Sequence, residues 1–234
     1  MLPSFYSDWK HVFKLDPDRE IDDDALEAVC MSGTDAILVG GSSGVTFENT
    51  VDLMSRIRRY EVSCAFELSD ASCGVPGFDG YLIPSVLNTR RSEWLIGRHV
   101  EALRDFGHLL PWESVAGVAY LVLNPDSTVA RLTEAEAGIS NAEAIAYSQV
   151  ADKLWTVPIL YVEYSGTYGD MDLLRDIRAA LQSAQLIYGG GIDGPERAAQ
   201  AARFADTVVV GNVIYDNLAA AIATVHAVKE AVKE

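Results

Sequence analysis

Positive charge is scarce in this chain. Lysine and arginine total 18 against 34 aspartates and glutamates, a net charge of −16 with the histidines neutral. A field of that sign repels nucleic acid and anionic membrane surfaces, which excludes both as bulk partners. It leaves room for a small anionic substrate, because a helix N-terminus, a metal ion or one lysine supplies local positive potential. Cysteine is rarer still. Cys30, Cys64 and Cys73 make an odd count with no C-x-x-C spacing, so they read as buried or half-buried thiols of a reducing cytosol. His11, His99, His108 and His226 show no ligand spacing and are expected to be structural or exposed. The opening MLPSFYSDWK has no basic segment followed by an apolar run, so no signal peptide is expected. No apolar run approaches the length that spans a bilayer. The expectation is a soluble, cytoplasmic protein.

What is present is a large apolar fraction in short, regular pieces. Of 234 residues 49% are hydrophobic and 22% charged, enough for a sizeable core. No linker or low-complexity run divides the chain, so residues 1–234 read as a single domain. Strand candidates are HVFKLD (11–16), DAILVGG (35–41), SCAFELS (63–69), GYLIPSV (80–86), GVAYLVLN (117–124), VPILYVEYS (157–165), QLIYGGGI (185–192) and DTVVVGN (206–212). Several are apolar on both faces, as strands lying between other layers should be.

Helical patterns fill most gaps. Asp22, Asp23 and Asp24 suit a helix start that Gly33 follows, and Ser140 with Glu143 forms a capping box. Leu53, Met54 and Ile57 line one helix, and Trp94, Leu95, Leu103 and Phe106 another that stops at Gly107. Leu173, Leu174, Ile177 and Leu181 line a third, and Ile214, Leu218, Ile222 and Val225 are expected on one last helix. A βα unit repeated eight times points to an α/β fold, a closed (β/α)8 TIM barrel. One unit departs: only DASCGVPGFD (70–79) separates the third and fourth strands. It is too short and too rich in Gly and Pro for a helix, so the third helix should be missing or replaced by an extended segment.

Gly189, Gly191 and Gly194 in LIYGGGIDGPERA match the dinucleotide fingerprint G-x-G-x-x-G. That fingerprint normally opens its fold, whereas this match lies in the seventh of eight strands. In a (β/α)8 barrel the loops after strands seven and eight often build a phosphate site instead. Glycines let backbone N–H groups approach phosphate oxygens, and Pro195 suits the first turn of the following helix. Gly211 and Asn212 supply the expected second half after strand eight. Plain strand-to-helix turns remain the competing account.

Alternation along a strand places Val12, Lys14 and Asp16 on one face, and Tyr161, Glu163 and Ser165 on another. Charges there are costly to bury and sit at the mouth where barrel active sites lie. Asp16 is a candidate Mg2+ ligand, or else a cap or partner of Lys14. Lys14 is a candidate phosphate contact. Glu163 suits a general base for a hydroxyl, or a buried ion pair with Lys14. Ser42, in VGGSSGVT, offers a hydroxyl to a metal or a diphosphate, or simply turns the chain into a helix. Glu67 has no assigned role. Tyr81, Trp94 and Tyr120 line either an apolar groove or the core.

WKHVFKLDP (9–17), SGTDAILVGGSSGVT (32–46), GYLIPSVLNT (80–89), YVEYSGTYGD (161–170), YGGGI (188–192) and VVVGN (208–212) together resemble the geranylgeranylglyceryl phosphate synthase family. The match is closest to its bacterial, PcrB-type branch of heptaprenylglyceryl phosphate synthases. The resemblance implies a modified TIM barrel without its third helix. It implies Mg2+-dependent transfer of a polyprenyl group from its diphosphate to the C3 hydroxyl of sn-glycerol 1-phosphate, giving an ether lipid precursor. By motif, Lys14 would contact glycerol phosphate, and Asp16 and Ser42 would serve Mg2+. Tyr161, Val162, Glu163, Tyr164, Ser165 and Gly166, with Gly191, Gly211 and Asn212, would hold glycerol phosphate. Glu163 would be the base on the attacking hydroxyl.

Ala102, in HVEALRDFG, aligns where the bacterial branch is small and archaeal relatives carry a bulky stop, which favours a long donor such as heptaprenyl diphosphate. Arg90 and Arg91 depart from the pattern and are expected to assist the diphosphate. The resemblance also implies a homodimer. Competing readings are another phosphate-binding barrel, such as a sugar-phosphate isomerase or lyase, and a non-catalytic phosphate- or flavin-binding barrel.

Overall fold

Val, Ile, Leu and Ala fill both faces of the central strands, and a strand with two apolar faces must lie between two apolar layers. The computed structural model, which describes residues 5–68, 70, 73–109 and 111–233 (of Phe106 and Leu109 the main chain only), shows how that demand is met. Eight strands pair in parallel, each with the next, and the last closes on the first. They are β1 (His11–Leu15), β2 (Ala36–Val39), β3 (Ser63–Glu67), β4 (Gly80–Val86), β5 (Val115–Val122), β6 (Ile159–Glu163), β7 (Gln185–Gly189) and β8 (Thr207–Val210). The closing register sets His11 beside Val208 and Phe13 beside Val210.

Alternation splits the core into two. Val12, Leu38, Ala65, Tyr120, Tyr161 and Val209 fill the barrel interior. Phe13, Ile37, Phe66, Leu121, Val162 and Tyr188 point outward against the helices. Those helices are α1 (Asp23–Cys30), α2 (Phe47–Ile57), α3 (Arg98–Phe106), α4 (Thr128–Thr133), α5 (Asn141–Gln149), α6 (Met171–Ala180), α7 (Pro195–Ala202), α8 (Val213–Asp216) and α9 (Leu218–Glu230).

Local sequence sets their ends. The Asp22 carboxylate accepts from the Ala25 N–H at the start of α1. Ser140 and Glu143 form the expected reciprocal cap on α5. Pro195 begins α7 after Gly194.

No α-helix lies between β3 and β4 among the described residues. Val75 and Phe78 of that segment are buried instead, with Phe78 stacked on Phe66 at 5.0 Å. Two expectations need correction. Ile214, Leu218, Ile222 and Val225 do not share one helix: the chain breaks at Asn217, whose side chain caps α9 by accepting from the Ala220 N–H. The strands also end earlier than their apolar runs suggested, because Gly40, Gly190 and Gly211 already belong to the loops. Ser69, expected in β3, and the Phe106 side chain, expected in the helix core, lie outside the described residues. The helix expected from Trp94 starts with a π-helical turn, Glu93–Gly97, before α3. α4, after β5, had no counterpart in the sequence reading. No described helix is long and apolar enough to cross a membrane.

Candidate active site

A parallel barrel brings every strand's C-terminal end to one mouth, so the inward residue nearest each end faces the same space. On β1 that residue is Lys14 and on β6 it is Glu163. On β3 it is Glu67, the group without an assigned role. The structure makes Glu67 the partner of Lys14: the ammonium donates to both carboxylate oxygens, at 2.8 and 3.0 Å. The Tyr120 hydroxyl of β5 donates to the same carboxylate. Neither alternative weighed for Lys14, an ion pair with Asp16 or one with Glu163, is realised. The signal that finds Glu67 is the same parity that singled out Lys14, since Ala65 and Glu67 share the inward face of β3.

Glu163 is 4% exposed. Its carboxylate accepts from the Ser165 N–H at 2.6 Å, which curls the loop after β6 back over the strand end. Burial pushes its pKa above the usual carboxylate range, while Lys14 and the bonds from Ser165 pull against that shift. Burial acts on Lys14 in the opposite sense, yet the carboxylates of Glu67 and Glu163 outweigh it and hold the ammonium pKa above normal. Tyr120 and Tyr161 stack at 4.5 Å, nearly parallel, and burial keeps both phenols neutral.

The remaining expected residues divide. Tyr161 points inward beside Glu163, whereas the Val162 side chain sits in the outer core and offers the site only its main chain. Tyr164, Ser165 and Gly166 form the loop after β6, where the Ser165 carbonyl accepts from the Asn124 side chain at 2.5 Å. Gly191 has φ +57°, and a Cβ there would overlap the backbone of Thr167 and Tyr168. Only glycine permits this contact, which packs the loop after β7 against the loop after β6. Gly211 lies beside the Lys14 carbonyl, and Asn212 accepts through Oδ1 from Arg19 at 3.0 Å. Arg19, which sequence reasoning missed, also lies 3.7 Å over the Tyr215 ring. The loop after β7 thus packs on the loop after β6, and the loop after β8 on β1 and the loop that follows it.

Asp16 and Ser42 lie on neighbouring loops. The Asp16 carboxylate packs against Gly41, the residue before Ser42, and accepts from the Asp18 N–H at 3.0 Å. It forms no ion pair among the described residues, and burial raises its pKa. A half-buried carboxylate without an ion-pair partner, packed against the loop that bears Ser42, is a donor set suited to a hard divalent ion. No group of three or more His, Cys, Asp or Glu side chains around a common point occurs among the described residues. Such an ion would therefore draw most of its ligands from water and substrate oxygens.

A groove of about 750 Å3 opens from this cluster between β3, β4, β5 and α3. Glu67, Ser42 and Tyr120 stand at its polar end, and Trp94, Ala102 and Trp112 line the apolar remainder. Cys73, Gly74, Val75 and Pro76, from the segment between β3 and β4, line one wall of the groove. Tyr81 and Trp94, expected in either groove or core, border the groove. Arg90 and Arg91 are not brought to it: they are exposed and pair with Glu136, Glu134 and Glu93.

Fold and site together define a TIM-barrel protein that joins a polar, glycine-looped cradle to a long apolar groove. Comparison narrows that class. Residues 5–229 match the PcrB family, and the chain belongs to it. A heptaprenylglyceryl phosphate synthase of Bacillus cereus is 53% identical over 95% of this chain and 97% of its own. One from Bacillus cytotoxicus is 54% identical over the same shares. Among solved structures, the (S)-3-O-geranylgeranylglyceryl phosphate synthase of Thermoplasma acidophilum, in complex with sn-glycerol-1-phosphate, superposes with a TM-score of 0.83. It is 26% identical and covers 94% of this chain and 93% of its own.

Proposed function

We infer that this chain is a prenyltransferase that moves a long polyprenyl group, heptaprenyl by preference, from its diphosphate to the C3 hydroxyl of sn-glycerol 1-phosphate. The observation that carries the reading is the continuity of one space. A carboxylate–lysine cluster beside a glycine-looped mouth runs directly into an apolar groove of about 750 Å3. A sugar-phosphate isomerase or lyase has no use for such a groove.

In this reading the loops bearing Ser165, Gly166, Gly191, Gly211 and Asn212 hold the glycerol phosphate, with Lys14 supplying the local positive charge. Glu163, whose raised pKa suits a base, takes the proton of the C3 hydroxyl as that oxygen attacks the allylic carbon. Asp16 and Ser42 would hold Mg2+, which supplies charge stabilisation to the departing diphosphate. Tyr120 and the groove walls keep water from the allylic carbon, so the glycerol oxygen is the nucleophile at hand. Ala102 leaves the groove long enough for an extended tail.

The test is incubation with labelled glycerol 1-phosphate, Mg2+ and a series of prenyl diphosphates. A lipid-soluble ether product is expected, with the longer donors preferred. Glu163→Gln should lower kcat by about 10²- to 10⁴-fold while glycerol phosphate still binds. No lipid product with any donor overturns the reading, and unchanged turnover removes Glu163 from it.

A further inference from the structure

We propose that Glu67 is the positioning residue that couples the two halves of this site, holding Lys14 toward the acceptor and Tyr120 against the donor. The inference rests on the prenyltransfer reading and adds a residue to it. Glu67 bonds Lys14 on one side and Tyr120 on the other. Both of its oxygens accept from the Lys14 ammonium, at 2.8 and 3.0 Å, and one also accepts from the Tyr120 hydroxyl. The β2 loop clears space for it, since a Cβ on Gly40 would come within 2.8 Å of the Glu67 Cβ.

The geometry has two consequences. An ammonium has three donors, and with two of them given to Glu67 one is left for an oxygen of the acceptor. After Glu67, the carboxylate that pulls most strongly on Lys14 is Glu163, and an ion pair there would occupy the base. On the other side, the Tyr120 ring forms part of the groove wall and stacks on Tyr161. Its hydroxyl anchor fixes that ring where the head of the prenyl chain must pass. A buried charge pair that only held the barrel together would have no reason to stand at the junction of cradle and groove. Replacing it with apolar groups would then often be harmless to stability.

The experiment measures kcat and both KM values for the wild type, Glu67→Ala, Glu67→Gln and Tyr120→Phe, with thermal unfolding as a check on folding. Loss of a charge-assisted contact predicts a glycerol 1-phosphate KM raised about 10- to 100-fold in Glu67→Ala, with a severalfold rise in donor KM. Glutamine keeps an acceptor for both partners without the charge, so Glu67→Gln should restore the donor KM and only part of the acceptor KM. Tyr120→Phe should raise the donor KM alone.

Both KM values within twofold of wild type in a folded Glu67→Ala protein overturn the proposal. So does a Glu67→Gln protein as impaired as the alanine variant toward both substrates. If Glu67→Ala does not fold, the split between Glu67→Gln and Tyr120→Phe decides. If the wild type makes no lipid product, the prenyltransfer reading fails. Calorimetric titration of wild type and Glu67→Gln with glycerol 1-phosphate then tests the Lys14 half, where equal affinities refute it.

Discussion

Acidifying this protein from pH 7 to pH 5 should weaken its fold by about 2 kcal/mol through His11 alone. His11 opens β1, the strand that carries Lys14 and leads into Asp16, and its ring is wholly buried. Nδ1 lies 2.9 Å from the Thr34 hydroxyl and Nε2 2.9 Å from that of Thr224 on α9. Burial, with a smaller push from Lys229, lowers its pKa from 6.5 to about 3, although Asp35 pulls the other way. The unfolded chain therefore binds a proton that the folded chain refuses. The stability contribution is complete above the unfolded value near 6.5 and is lost as pH falls toward about 3. At ~1.4 kcal/mol per unit the full span is worth about 4 to 5 kcal/mol, of which about 2 kcal/mol is gone by pH 5. That is a sizeable part of the ~5–15 kcal/mol typical of a domain.

Urea unfolding of wild type and His11→Asn at several pH values isolates the effect, because the carboxylates titrate alike in both. The wild type's advantage should shrink by about 2 kcal/mol between pH 7 and 5. An advantage that stays constant over that range refutes the assignment of a buried, neutral ring.

Two further outcomes follow from the loops and the groove. Gly191→Ala forces a side chain into the left-handed region at φ +57° and onto the Thr167–Tyr168 backbone. The strain is worth about 1–2 kcal/mol before overlap is counted, and the two loops should part. The glycerol 1-phosphate KM should rise at least about tenfold with a smaller change in kcat, and an unaltered KM would remove Gly191 from the cradle. Ala102→Trp should shorten the preferred donor by filling the groove, read from product chain lengths. An unchanged length profile would place the end of the prenyl chain elsewhere.

The alternation of β1 and β6 was enough to set Lys14 and Glu163 facing one mouth, because successive strand side chains take opposite faces whatever surrounds them. The glycine loops after β7 and β8 were legible for a similar reason, since tight strand-to-helix turns carry their own residue signature. The ends of α8 and α9 were not legible. Their apolar residues keep helical spacing across Asn217, and only the cap seen in three dimensions shows the break. Arg90 and Arg91 looked like diphosphate ligands by charge alone. The fold turns them instead to the acidic residues of the α4–α5 segment, Glu134 and Glu136.

By itself the sequence determined the repeat of strand and helix, the lack of a helical pattern between the third and fourth strands, the inward parity of each charged residue and the net acidity that makes every lysine conspicuous. These are local properties, set by spacing and composition. Which carboxylate meets Lys14 was a different matter. Glu67 lies 53 positions away, and the two residues become neighbours only because β1, β2 and β3 pair in a particular register and the barrel closes. Lys14, Glu163 and Asp16 offered several plausible partners on paper. Tertiary packing chose one that parity alone had left without a role.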